Sequence, residues 1–252
     1  LELYKLAGKE LTGNVAVKVH SGEKGNQNFL RPEFWKPIIS HVGGTVVECN
    51  TAYEGQRNTT EKHRKLFDYH GWLHHYKVDL LDAEGPDLEI AIPNGKVIQK
   101  NFLGKDIVNY DSMLVLSHFK GHPMGGYGGA LKQLSIGCAS SFGKAYIHGA
   151  GEPEKIWSSD HDSFLESMAD AAESIAKYFN IPMREVLRLE DSIHAYVRKS
   201  LYVDKALEFH GEESIDPAEG AAIAREAYEN LFSEPMGDYL TNLVSSFNVA
   251  QM

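Results

Sequence analysis

The chain has 252 residues, 42% of them hydrophobic and 24% charged, and its 25 Lys and Arg against 35 Asp and Glu give a net charge of −10. This is ordinary globular usage in a chain long enough to bury a core without staples, which excludes disordered and collagen-like proteins. The acidic balance argues against a nucleic-acid partner, which needs clustered Lys and Arg. The lack of a run of ~18 apolar residues argues against a membrane span. Leu1–Glu10 is charged and has no signal-peptide core, and the two cysteines, Cys49 and Cys138, make a disulfide framework unexpected. A cytoplasmic protein with reduced thiols is the expectation.

In chain order, Asn14–His20 (NVAVKVH) predicts a first strand. Pro32–Val42 predicts a helix with proline in its first turn and Gly43-Gly44 at its end. Thr45–Cys49 is a second short strand, and Thr59–His70 a polar-faced helix closed by Gly71. Leu88–Ile92 and Lys96–Gln99 flank Pro93-Asn94-Gly95, a hairpin signal, and Ser112–Ser117 is a continuous apolar strand. This order implies βαβ crossovers, hence an α/β fold with a mainly parallel sheet and flanking helices.

From Ser163 onward the pattern is helical, through Ser163–Phe179, Met183–Val197, Leu201–Phe209, Pro217–Phe232 and Pro235–Phe247. The expected organisation is an α/β core over residues 1–162 and a helical C-terminal region over 163–252. That region either packs on the core or forms a subdomain. Val15, Val17, Val47, Leu114 and Leu116 are expected to be buried, with Trp35, Trp72 and Trp157 as core or interface anchors.

Ligands of parallel sheets sit beyond the carboxyl ends of the strands. That rule singles out the loops after His20, Cys49 and Ser117. The densest chemistry follows Ser117, in SHFKGHPMGGYGGALKQLSIGCASSFGKAYIHG. Its glycines let a ligand approach the backbone, and lysines among exposed N–H groups suit a phosphate or carboxylate. Lys120, Gly128, Gly129, Lys132 and Lys144 are therefore the candidate cofactor- or anion-binding residues. His20, His118, His122 and His148 are candidate ligands for a divalent metal, nickel or zinc, because imidazole suits both. Asn50, Arg57 and His63 lie within reach of the same crevice. The spacing is neither that of a P-loop nor of a dinucleotide fingerprint, and HExxH is absent because Phe119 stands in place of its Glu.

VAVKVHSGEKGN, ECNTAYEGQRNTTEKH and LSHFKGHPMGGYGGALKQLSIGCASSFGKAYIH together resemble the domain-of-unknown-function 362 family, over about Gly13–Tyr178. Many relatives carry a four-iron cluster insert after the position of His148. This chain has no CxxCxxC, and two cysteines cannot supply a Cys₄ site, so no iron–sulfur cluster is expected. The centre is also similar to the core of the nickel-pincer lactate racemase family. That resemblance would make Lys132 the residue bearing the pincer cofactor, His148 a nickel ligand and His122 a proton-transfer group. Lys132 lies ten residues after His122, and His148 sixteen after Lys132.

Two functions follow. One is a metal- or anion-binding protein with an enzyme-like proton- or hydride-transfer site for a small hydroxy or carboxylic acid. The other is a non-catalytic protein, binding a phosphate-containing small molecule or serving in assembly; either reading leaves a homo-oligomer open.

Overall fold

The computed structural model describes residues 1, 4–5, 10–118, 120–122 and 126–179, with the backbone alone at 120–122 and 126–128. The predicted helices beyond Phe179 lie outside the described residues. Two compact units divide the chain, Leu1–Phe119 with Gly128–Met183, and Lys120–Tyr127 with Arg184–Met252.

In the first unit, strands β1 (Val15–Lys18), β2 (Thr45–Glu48), β3 (Val78–Leu80) and β6 (Ser112–Val115) form a four-stranded sheet in the order β3-β2-β1-β6, all neighbours parallel. β1 is central and buried along its whole length, as expected for a strand with both faces covered. Val15, Val17 and Val19 face helices α1 (Pro32–Val42), α2 (Thr60–Tyr69) and α3 (Trp72–His75). There they join Ile39, Phe67 and Trp72 in one apolar cluster. Each such side chain contributes roughly 1.5–3 kcal/mol by leaving water. Val47 and Leu116 are buried as expected, whereas Leu114, on the last strand of the sheet, is only partly so.

The caps follow local chemistry. Pro32 opens α1, and Gly43, at φ 64°, closes it in the left-handed conformation with its N–H on the Ile39 carbonyl. Thr59 caps α2 by accepting from the Lys62 N–H.

β4 (Leu88–Ala91) and β5 (Lys100–Leu103) form the antiparallel hairpin, but its second strand starts four residues later than the periodicity predicts. The cause is Asp170. Its carboxylate accepts the N–H groups of Lys96, Val97 and Ile98 at 3.0, 2.8 and 3.0 Å, taking that stretch out of the ladder.

Asp170 belongs to α6 (His161–Tyr178), which begins at an Asp160 cap and packs on α4 (Ala130–Cys138) and α5 (Ser141–His148). Its face of Ala171, Ala172, Ile175 and Ala176 is buried, and these small side chains permit close helix approach. α5 starts at Ser140, whose hydroxyl accepts from the Gly143 N–H at 2.9 Å. It lies tight against β5, since a Cβ at Gly143 would stand 2.0 Å from the Phe102 carbonyl oxygen. β7 (Lys120–His122) and β8 (Gly126–Gly128) form a separate two-stranded ladder.

No helix among the described residues is long and apolar enough to cross a membrane.

Candidate functional site

At the carboxyl ends of β1 and β2 a cleft of about 70 Å³ opens, with room for a small ligand rather than a single water. It gathers His20 from the loop after β1, Glu48 from β2, Tyr53 and Arg57 from the loop after β2, Lys132 and Gln133 from α4, and Lys144 and His148 from α5. Five of the residues expected at the site, His20, Arg57, Lys132, Lys144 and His148, therefore line one crevice. His118 lies beside it, its ring edge-on to His20 with centroids 6.4 Å apart. Gly129 is the residue before α4, which places Lys132 in the first turn of that helix. The side chains of Lys120 and His122 and the surroundings of Gly128 lie outside the described residues.

Beneath the cleft sits an ion pair that the sequence reading missed. Lys18 is fully buried, and its Nζ donates to Glu48 Oε1 at 2.5 Å and to the Val19 carbonyl at 2.6 Å. The Glu48 carboxylate also accepts from the Cys49 and Ser21 N–H groups, each at 3.2 Å. Burial alone would raise the Glu48 carboxyl. Lys18, followed by His20, His63 and Arg57, overcomes that and holds it at about 2, so it is ionised. Gly137 on α4 leaves room for the amine, because a Cβ there would sit 3.2 Å from Lys18 Nζ. A lysine and a glutamate interrupting two adjacent apolar strands was the available signal.

A second buried line runs Ser21–His63–Asn50. The Ser21 hydroxyl is 2.8 Å from His63 Nε2, and His63 Nδ1 is 3.2 Å from Asn50 Oδ1. The Asn50 amide donates to Thr60 Oγ1, which fixes its orientation, so His63 carries its proton on Nδ1 and accepts the serine hydroxyl on Nε2. This order resembles a hydrolytic triad, but Ser21 and His63 have no solvent exposure. Its work is to hold the His20–Gly22 turn. Asp82 makes a further joint, accepting from the Asn50 N–H at 2.9 Å and the Ser141 N–H at 2.9 Å, and so ties the end of β2 to the start of α5.

The cleft lining carries Arg57, Lys132 and Lys144 against Glu48 alone, a positive site on an acidic chain. Arg57 is 5% exposed and pairs through Nη2 with Glu23, while Lys144 donates to the Ala139 carbonyl at 2.6 Å. Two buried donors of lining residues, Arg57 Nε and Gln133 Nε2, have no hydrogen-bond partner among the described residues. Such atoms are uncommon, because each forfeits its hydration without return.

The two lining histidines differ in tautomer. His148 Nδ1 donates to the Lys144 carbonyl at 2.7 Å, which leaves a lone pair on Nε2. His20 Nδ1 accepts the Gly22 N–H at 3.0 Å, which places the proton of the neutral ring on Nε2. Burial, reinforced by Lys132 and Lys144, pulls His148 down to about 4 despite its hydrogen bond to the Lys144 carbonyl. Burial takes His63 to about 3 against the pull of Glu48. Both are neutral in the fold, while an unfolded histidine titrates near ~6.5. Below that pH the unfolded chain binds more protons, so these residues stabilise the fold fully above pH ~6.5 and progressively less down to their folded values. Glu48 acts in the same direction between its ordinary 4.5 and about 2. Urea unfolding at pH 4.5 is therefore expected to give several kcal/mol less stability than at pH 7, and an unchanged midpoint would contradict this protonation pattern.

No group of three or more His, Cys, Asp or Glu side chains that could hold a metal ion is present among the described residues. Cys49 and Cys138 are both buried, and burial raises both thiols, Cys138 to about 11, so neither presents a ready thiolate.

A family model described as domain of unknown function (DUF362) matches residues 15–191. The chain belongs to this family. No curated protein and no solved structure matches it. The matched stretch of this DUF362 protein contains the sheet and every residue of the cleft described above. The family match does not extend to the lactate racemase family.

Proposed function

We propose that this DUF362 protein binds a small anionic molecule, a phosphate or a carboxylate, in the cleft at the carboxyl ends of β1 and β2. The observation that carries this reading is the cationic lining, in which Arg57, Lys132 and Lys144 meet Glu48 and two buried donors, Arg57 Nε and Gln133 Nε2, have no partner among the described residues. An anion entering the cleft would meet this positive lining, and a small turn of either side chain would bring its open donor onto it. Lys132, in the first turn of α4, adds its charge where the helix amides also favour an anion. The Nε2 lone pair of neutral His148 supplies a proton acceptor next to the bound acid, the basis for an enzyme-like proton transfer.

The test is calorimetric titration and thermal unfolding with inorganic phosphate and, separately, lactate, whose order of affinity distinguishes the two ligand types. The fold should gain about 2.7 kcal/mol at a concentration one hundred times Kd. Gln133→Met is expected to weaken binding while leaving the free protein as stable or about 1 kcal/mol more so, because it removes an unsatisfied buried donor. Lys132→Ala should lose most of the affinity with the fold intact. If neither anion binds, or if both variants bind as the parent does, the reading fails.

A further inference from the structure

The cationic floor of the cleft continues into an aromatic rim. Tyr53 belongs to both, lining the cleft and lying with its hydroxyl 3.4 Å from Arg57 Nη2. Its ring packs against Trp157, centroids 5.8 Å apart and planes inclined at 53°. Trp157 is 69% exposed and Tyr53 38%. The other two tryptophans behave differently, Trp72 being fully buried and Trp35 packed against the core. Of the two roles expected for it, core or interface anchor, Trp157 does not fill the first. An exposed indole thus lies one tyrosine away from the buried guanidinium of the cleft. Aromatic faces pair well with other flat rings, by offset stacking or edge-to-face contact.

We infer that the ligand of this cleft is an anion bearing a planar aromatic group, its charge held by Arg57, Lys132 and Gln133 and its ring against Tyr53 and Trp157. The inference rests on the anion-binding reading and narrows its ligand class. Binding of inorganic phosphate, methyl phosphate and phenyl phosphate, followed by calorimetry and by tryptophan emission, separates the two. Phenyl phosphate should bind about tenfold more tightly than methyl phosphate, the scale of one ring stacked on an aromatic side chain. It should also quench an emission component that is missing in Trp157→Ala. Because that variant removes an exposed side chain, it should fold, bind inorganic phosphate as the parent does, and lose most of the preference for the phenyl ester, keeping only what Tyr53 supplies. Equal binding of the two esters by the parent overturns the aromatic inference and leaves the anion reading standing. So does a preference for the phenyl ester that survives undiminished in Trp157→Ala. Failure of all three ions to bind overturns both.

Discussion

Replacing Glu48 with glutamine is expected to destabilise the protein by about 3–5 kcal/mol, the usual consequence of removing one partner from a buried ion pair. Lys18 has no solvent exposure and its ammonium lies 2.5 Å from the carboxylate. The amide retains the shape but leaves the positive charge without a counter-charge in the centre of the sheet. On a fold of ordinary stability, about 5–15 kcal/mol, this is a large fraction, and it corresponds to a fall in Tm of roughly 10 °C for a chain of this size. The doubly apolar variant, Lys18→Met with Glu48→Leu, is expected to recover most of the loss, since well-packed hydrophobic pairs commonly match buried ion pairs. Denaturant unfolding of the three proteins checks both statements. A loss below about 1 kcal/mol for the single variant would mean that water reaches the pair.

Gly143→Ala is expected to cost about 3 kcal/mol, at the upper end of overpacking effects. In an exposed helix the same change would stabilise by roughly 0.5–1 kcal/mol. Here the new methyl would meet the Phe102 carbonyl oxygen at 2.0 Å, and that oxygen also accepts the Ser140 N–H at 2.9 Å. Backbone on both sides leaves no flexible side chain to give way, so α5 must move off β5. Lys144 and His148 ride on α5 into the cleft. The variant that remains folded, as judged by near-ultraviolet circular dichroism, should therefore lose phosphate affinity as well as stability. Retention of both would show that α5 can shift without disturbing the site.

The parts of this molecule that were legible in the sequence are those governed by local chemistry. Pro32 and Gly43 bracket α1 to the residue, and the short apolar runs at Val15, Val46 and Met113 place three parallel strands. The strand-end rule located the cleft, and His20, Lys132, Lys144 and His148 meet there. What escaped depends on partners far away in the chain. The hairpin register is set by Asp170, more than seventy residues from the amides that it captures. β3 is three residues long and too short for its alternation to stand out. Lys18 and Glu48 look like ordinary charges until parallel pairing brings their strands side by side. Gln133 gave no signal, since an unpaired amide is a property of its surroundings rather than of its residue type.

The cationic lining also bears on which anions gain most from the cleft. At ~0.1 M salt a charge is felt over only about 10 Å, so the favourable field of the lining fades near the mouth. A long polyanion brings only the few charges that enter within reach of that field, and the rest of its length gains nothing from it. A small anion that fits wholly inside places all of its charge there. Discrimination by size thus comes from electrostatics as well as from shape.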